Sequence, residues 1–129
     1  MVGRWGCEGR LVTYDLAAIL LVAGIITMPS VVSQMAHERG VDVQRALTTV
    51  TLESAWDAAA VGDNGLALGL WQWHGAESVN TWAWACELTG HAEWADDANR
   101  ADAVRSTIVA LDMIALGYGW LWTGWGVAG

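Results

Sequence analysis

Glu53 has the strongest chemical context in this chain, because it ends a predicted helix and precedes a polar, Gly-rich loop. Asp42 is placed as a helix cap after Gly40, and the spacing of apolar residues predicts a helix over 43–55. Glu53 then falls in the last turn, at the edge of the apolar face, and is expected to lie half out of water. A carboxylic acid in that position is suited to donate a proton to a leaving group.

Three sequence elements follow one another around this acid. They are Glu53-Ser54 with Trp56, then Gly62-Asp63-Asn64-Gly65, then Gly69-Leu70-Trp71-Gln72. Their order resembles the soluble lytic transglycosylases, goose-type lysozymes and phage muralytic enzymes of the lysozyme superfamily. The resemblance is specific over 45–73 and looser over 28–125.

The resemblance implies a mainly α, lysozyme-like single domain, with a central acid-bearing helix and a small loop or β region. It implies cleavage of the peptidoglycan glycan strand between MurNAc and GlcNAc, by a lytic transglycosylase or muramidase that needs no cofactor. Glu53 would be the catalytic acid, and Ser54, Asp63 and Gln72 would contact substrate. The expected setting is bacteriophage or bacterial cell-wall degradation, in the cell envelope, in the periplasm or on a virion.

The chain also departs from the family pattern. Its loop has Asp63 and Asn64 where the family usually carries Ser before Gly, and the spacing from Gly65 to Gly69 is longer than usual. The Ala-Tyr-Asn-x-Gly motif of soluble transglycosylases is absent, so Tyr118 is the nearest candidate for a Tyr beside the acid. Phage versions of the domain often look like this chain.

The reaction type depends on a second carboxylate. A glycosidase with a protein nucleophile or base needs an Asp or Glu across the scissile bond, and Asp57 and Asp63 are available. By resemblance, transglycosylases need none, because the N-acetyl group of the substrate assists and a 1,6-anhydromuramoyl product forms. For Asp63, the sequence favours a role as a turn residue beside Asn64 and Gly65 over a role as the second carboxylate.

Trp73 has two interpretations. Its indole could stack on a sugar, since the ring is a flat apolar platform with a polar edge. Alternatively it belongs to the core, because a chain with 10 Trp and no Phe must build most of its aromatic core from Trp. The neighbouring His74 is expected at the surface or in a hydrogen bond.

Composition favours one domain and excludes some partners. With 129 residues, 54% of them hydrophobic, the chain predicts a single modest core. It has 14 acidic residues and a net charge of −8, which argues against nucleic-acid binding. The Cys and His residues show no zinc spacing. Cys86 is expected as a buried thiol, and a Cys7–Cys86 disulfide is the alternative in an oxidising compartment.

The first 28 residues are distinguished from the predicted lysozyme-like domain, 29–129. An apolar helix is predicted from Leu16 to Thr27, shorter than the ~20 residues that a membrane span needs. It is a buried helix, a membrane-associated anchor or a cleaved signal. The tail from Trp120 to Trp125 is too apolar to be free in water. Either segment could mediate a membrane or virion-assembly contact.

The remaining pattern predicts further helices. Pro29 suits the first turn of a helix that ends at Arg39. Apolar spacing predicts helices over 77–88 and 97–116, and a short strand is predicted over 69–73.

Two other function classes are compatible with these features. One is a virion- or membrane-associated structural protein that keeps an inactive lysozyme-like fold, and the other is a module that holds glycan without cutting it. The intact Glu53-Ser54 and Gly69-Leu70-x-Gln72 elements favour the enzyme, since a module without turnover has no need of an acid at a helix end.

Overall fold

The computed structural model of the protein describes residues 19–21 and 23–129, and this part of the chain is mainly helical. Its helices are α1 (Met28–Glu38), α2 (Val43–Ser54), α3 (Thr81–Leu88), α4 (Ala103–Ala115) and α5 (Thr123–Ala128). An antiparallel sheet has the order β1 (Val61–Gly62), β2 (Ala67–Leu68) and β3 (Trp73–His74). Short 3-10 helices lie at Asp63–Gly65, Ala92–Trp94, Asp97–Ala101 and Gly119–Leu121. The expected mainly α fold with a small β region is confirmed.

The helix α1 begins where Pro29 predicts, and α2 begins after Asp42, the predicted cap. Thr27 Oγ1 accepts a hydrogen bond of 3.4 Å from the Ser30 N–H, and Asp42 Oδ1 accepts one of 2.9 Å from the Arg45 N–H. Gly40, with a φ of +68°, separates the two helices. Both predicted helices are confirmed, and each ends one residue earlier than expected.

The apolar helix predicted from Leu16 to Thr27 ends earlier than expected. Residues 19–21 are helical, but the chain turns at Gly24, which has a φ of +73°. Thr27 is extended and caps α1. The prediction overran because apolar residues continue across the turn, so hydropathy alone gave no boundary. The start of this helix lies outside the described residues. The choice among core helix, anchor and signal depends on those residues and stays a prediction.

The apolar side chains around this turn divide between core and solvent. Leu21 and Ile26 pack against the core, whereas Ile19 and Ile25 are 62% and 68% exposed. Within the described ranges, no helix combines the length and hydropathy needed to cross a bilayer.

The helix predicted over 77–88 begins later than the apolar spacing suggested. Asn80, in a left-handed conformation, caps α3 by accepting a hydrogen bond of 3.3 Å from the Ala83 N–H. The residues before Asn80 form turns, and Val79, which lies within the predicted range, is 79% exposed.

The helix predicted over 97–116 is divided in two. A 3-10 helix covers Asp97–Ala101, and α4 begins after Asp102, whose Oδ1 accepts a hydrogen bond of 2.8 Å from the Arg105 N–H. Apolar spacing runs through Asp102 without interruption, so the break was missed. An Asp ahead of an apolar periodic run is nevertheless a capping signal that would have located it.

The strand predicted over 69–73 is also corrected. Gly69 and Gln72 have φ values of +83° and +51° and turn the chain, so that only Trp73 belongs to β3. The spacing of apolar residues does not reveal left-handed backbone positions, so the sequence predicted a strand where the chain turns.

The core is built around α4 and a group of tryptophans. Most of α4 is buried, and the side chains of Trp71, Trp73, Trp82 and Trp122 pack edge to face with one another. Their indole N–H groups find partners inside the protein: Trp71 Nε1 donates to Thr107 Oγ1 at 3.0 Å, for example. Trp supplies the aromatic core, as the composition predicted.

Cys86 is a free, buried thiol on α3, which confirms the prediction. Burial raises the pKa of this thiol to about 12, and the negative charges of Glu93 and Glu87 act in the same direction. Cys7, its alternative disulfide partner, lies outside the described residues.

Candidate active site

Glu53 lies half-buried in the last turn of α2, as predicted. α2 packs against both α1 and α5, and the second contact brings the start of α5 to the acid. The Gly124 N–H donates a hydrogen bond of 3.2 Å to Glu53 Oε2. Oε1 has no hydrogen-bond partner among the described residues. One carboxyl oxygen is therefore held by the protein, and the other is available to a ligand.

Gly124 permits this contact because it has no side chain. A Cβ at this position would lie 3.2 Å from Glu53 Oε2 and 3.3 Å from the carbonyl oxygen of Thr49. The close approach of α5 to α2 therefore depends on this glycine. This contact was not predictable from the sequence, since a Gly among the Trp residues of the tail has no spacing that points to Glu53.

The chain leaves α2 through a strained turn. Ala55 and Trp56 have φ values of +52° and +67°, which are uncommon for residues other than Gly. Such conformations cost about 1–3 kcal/mol each and persist only where the surroundings enforce them. Here the Trp56 side chain packs on the core, and its indole N–H donates to Thr51 Oγ1 at 2.9 Å. These contacts fix the end of the acid-bearing helix.

Both carboxylates of the following loop have turn-forming roles. Asp57 Oδ1 accepts a hydrogen bond of 2.9 Å from the Ala59 N–H, which makes an Asx turn. Asp63 and Asn64 are left-handed, with φ values of +49° and +56°, in the 3-10 turn after β1. The turn predicted at these residues is confirmed.

Asp63 is also joined to the far strand of the sheet. Its Oδ2 lies 2.8 Å from His74 Nε2, and His74 Nδ1 lies 3.1 Å from Ser78 Oγ. His74 therefore ties the turn after β1 to β3, in agreement with the expected hydrogen-bonded His. The Asp63 side chain remains 67% exposed, so much of it is accessible to a ligand.

Gln72 fastens the base of the same loop. Its Nε2 donates to the carbonyl oxygens of Gly69 and Ala60, at 2.9 and 3.3 Å, and its Oε1 lies against Gly62. The amide that was expected to contact substrate thus binds the backbone just before β1 and just after β2.

Arg100 is a positioning residue that the sequence did not reveal. It is 6% exposed, and its Nη1 donates to the carbonyl oxygens of Leu66 and Trp73, at 2.8 and 3.1 Å. Its Nε is buried without a hydrogen-bond partner in the described part of the chain. A lone Arg in an acidic segment has no pattern that predicts such a role.

The other predicted site residues have different surroundings. Ser54 Oγ donates to the Val50 carbonyl oxygen at 3.2 Å, within α2. Trp73 is 2% exposed, so of its two interpretations the structure favours the core. Tyr118 is half-buried and contacts the rings of Trp84 and Trp120.

The structure therefore arranges the predicted residues in separate groups. Glu53 and Ser54 belong to α2, whereas Asp63, Gln72 and Trp73 belong to the sheet region. Across the described ranges, no hydrogen bond or ion pair joins Glu53 to Asp63 or Gln72.

No group of three or more His, Cys, Asp or Glu side chains in the described ranges could hold a metal ion. A cavity of about 560 Å³ lies elsewhere and has none of the predicted site residues in its wall. It is lined by Glu38, Arg39, Leu88, Thr89, Asp112, Ala115 and Leu116.

No protein-family model, curated protein or solved structure matches this chain. Any assignment of function therefore depends on the residues and their geometry.

Proposed function

We propose that this protein has a lysozyme-like fold and cleaves the glycan strand of peptidoglycan between MurNAc and GlcNAc, with Glu53 as the general acid. The observation that carries the proposal is the setting of Glu53. Its carboxyl group is half-buried at a helix end, Oε2 is anchored by the Gly124 N–H, and Oε1 lacks a partner among the described residues. An acid held at one oxygen and open at the other can present its proton in a fixed direction.

The chemistry begins with transfer of the Glu53 proton to the glycosidic oxygen as the bond from that oxygen to the anomeric carbon breaks. In a transglycosylase, the N-acetyl oxygen of the substrate assists by attacking the anomeric carbon. The Glu53 carboxylate then takes the proton of the sugar's 6-hydroxyl group as that oxygen attacks the anomeric carbon, displaces the N-acetyl oxygen and closes the 1,6-anhydro ring. In a muramidase, water takes the place of the 6-hydroxyl group.

The surroundings of the loop carboxylates support the version without a protein nucleophile. The Asp57 carboxylate accepts a hydrogen bond within its own turn. The Asp63 carboxylate pairs with His74, and Asp63 forms part of a second turn. Each carboxylate therefore has a structural role that accounts for its place in the loop without a role as nucleophile.

A second candidate function is a virion- or membrane-associated structural protein that retains an inactive form of this fold. It is favoured by apolar side chains exposed near the C-terminus, since Trp120 and Val127 are each 70% exposed. Such a protein would have no use for turnover at Glu53, so an activity assay separates the two candidates.

Glu53→Gln tests the enzyme. The amide keeps the shape of the side chain but has no proton to transfer, so digestion of purified peptidoglycan should slow by about 100-fold or more. The rate would be measured from the fall in turbidity, and mass spectrometry of the released muropeptides would show anhydro or reducing ends.

Glu77→Gln is the matched control, because Glu77 is exposed and lies outside the helices and strands. This variant should digest peptidoglycan at the wild-type rate. Wild-type activity in Glu53→Gln would remove Glu53 as the acid. A wild-type protein that releases no muropeptides would favour the structural candidate.

A further inference from the structure

A patch of aromatic rings is exposed beside the C-terminal segment. It consists of Trp84 on α3 together with Tyr118 and Trp120. The Tyr118 ring lies 5.4 Å from that of Trp84 and 6.3 Å from that of Trp120. The two indoles are 40% and 70% exposed, and the half-buried Tyr118 anchors the patch to the core. A contiguous patch of exposed apolar side chains, unlike a single one, is typical of an interaction site.

The exposed indoles differ from several other tryptophans in their hydrogen bonding. Among the described residues, the indole N–H groups of Trp56, Trp71, Trp73, Trp82 and Trp122 donate within the protein. Those of Trp84 and Trp120 have no partner among the described residues. Each exposed indole thus offers a flat apolar face and an uncommitted donor, which suits a ligand with both apolar C–H faces and polar groups.

The patch is held close to Glu53 by the chain itself. Trp120 precedes Gly124 by four residues, and four residues span at most about 14 Å. Gly124 donates to Glu53 Oε2, and between the two positions Trp122 is fixed in the core by its hydrogen bond to the Trp71 carbonyl oxygen. The backbone that carries Trp120 therefore lies within a few sugar lengths of the acid.

We propose that Trp84, Tyr118 and Trp120 form a glycan-binding surface that holds the peptidoglycan strand outside the cleavage site. The proposal rests on the proposed function for its ligand class. A pyranose ring presents apolar C–H groups to an indole face. Its hydroxyl and N-acetyl oxygens can accept a hydrogen bond from the free indole N–H.

Charge favours a glycan over a lipid surface. Trp and Tyr also occur at membrane interfaces, but attraction to anionic lipid headgroups requires Lys or Arg. This chain has a net charge of −8 and no Lys, and Glu87 follows Trp84 by three residues on the same helix. Hydroxyl and amide groups of a glycan meet no such repulsion.

The test measures binding without cleavage, in the Glu53→Gln background. The fraction bound to insoluble peptidoglycan and the affinity for a soluble β-1,4-linked N-acetylglucosamine oligomer would be measured for Trp84→Ala and Trp120→Ala. Each should bind both probes about fivefold more weakly or worse. Trp120→Phe should recover part of the affinity, because it restores a ring but no N–H donor.

Val127→Ala is the matched control, since Val127 and Trp120 are each 70% exposed, and this variant should bind like the parent. Thermal unfolding would verify that each variant is folded. The proposal is overturned if the parent binds neither probe, or if both Ala variants bind like the parent. It is also overturned if these variants lose binding only to phosphatidylcholine or phosphatidylglycerol vesicles. If Glu53→Gln still cleaves peptidoglycan, Glu53 is not the general acid, but the proposal of a glycan-binding surface is not contradicted.

Discussion

The position of the Glu53 side chain depends on a neighbour that has no reactive group of its own. The half-buried setting of Glu53 was predictable from the sequence, because Glu53 lies near the end of a capped amphipathic helix, at the edge of its apolar face. Gly124 was not predictable, because it lies 71 residues away and acts through its N–H and its lack of a side chain. Contacts between distant parts of the chain leave no periodic signal.

Gly124→Ala tests this dependence. The added methyl group would crowd Glu53 Oε2 and the Thr49 carbonyl oxygen, at 3.2 and 3.3 Å, so α5 must shift and the carboxyl group with it. Small displacements of a reacting group are costly, and we expect peptidoglycan digestion to fall by about tenfold or more.

Gly126→Ala is the matched control for that substitution. Gly126 lies in the same helix, and a Cβ there would meet nothing within 4 Å. This variant should keep full activity and unfold at an equal or higher temperature, since Ala favours helix over Gly. Equal activity in the two variants would show that the α2–α5 contact does not position the acid.

Asp63→Asn tests the choice between substrate-assisted and two-carboxylate chemistry. Asn tolerates the left-handed turn as well as Asp and keeps an oxygen toward His74, so activity should stay within about tenfold of the wild type. Digestion rates and product masses would be compared with those of Glu53→Gln. An equally deep loss, with reducing ends from the wild type, would instead indicate a protein nucleophile or base.

Some helices and strands are indicated by local sequence signals, and others are not. Pro29 in the first turn of α1 and the Asp42 cap of α2 are local signals, so the sequence placed both helices correctly. The sheet was misplaced because its strands are two residues long and are set by Arg100 and Gln72, which hold backbone carbonyls from distant positions. Two-residue strands cannot display alternation, so their position follows from tertiary contacts.

Arg100→Met tests whether this arginine holds the sheet region together. The variant loses two charge-assisted hydrogen bonds and leaves the carbonyl oxygens of Leu66 and Trp73 without that donor. Removal of a buried charge works in the opposite direction, but the lost bonds should dominate, and we expect a fall of about 2 kcal/mol in the free energy of unfolding. Denaturant titration would measure it.

Arg105→Met provides the comparison for Arg100→Met. Arg105 is exposed, and its side chain donates to Asn99 Oδ1 on the surface, so its loss should change stability by less than about 1 kcal/mol. If Arg100→Met is as stable as the wild type, desolvation of the charge cancels its hydrogen bonds and another contact holds the sheet.

The whole molecule is a small tryptophan-rich core with an acidic surface. Composition predicted both properties, and the structure adds that α4 supplies the centre of the core. Such a core contains few groups that titrate, and Cys86 is one of them. Its thiol ionises less readily in the folded protein than in the unfolded chain, so its titration is coupled to folding.

The pKa of Cys86 leads to a prediction about stability at high pH. Burial first, and then Glu93 and Glu87, raise the pKa from 9.0 to about 12, so the folded state holds the thiol proton more tightly than the unfolded state. The resulting stability is fully present below pH 9 and is lost as the pH rises toward 12. In a Cys7→Ser background, the free energy of unfolding should therefore fall more steeply between pH 8 and about 10.5 than in Cys7→Ser with Cys86→Ala. Denaturant titrations of both variants would measure the difference, which removes the effect of other titrating groups. Parallel curves would mean that the Cys86 thiol ionises as easily in the folded protein as in the unfolded chain.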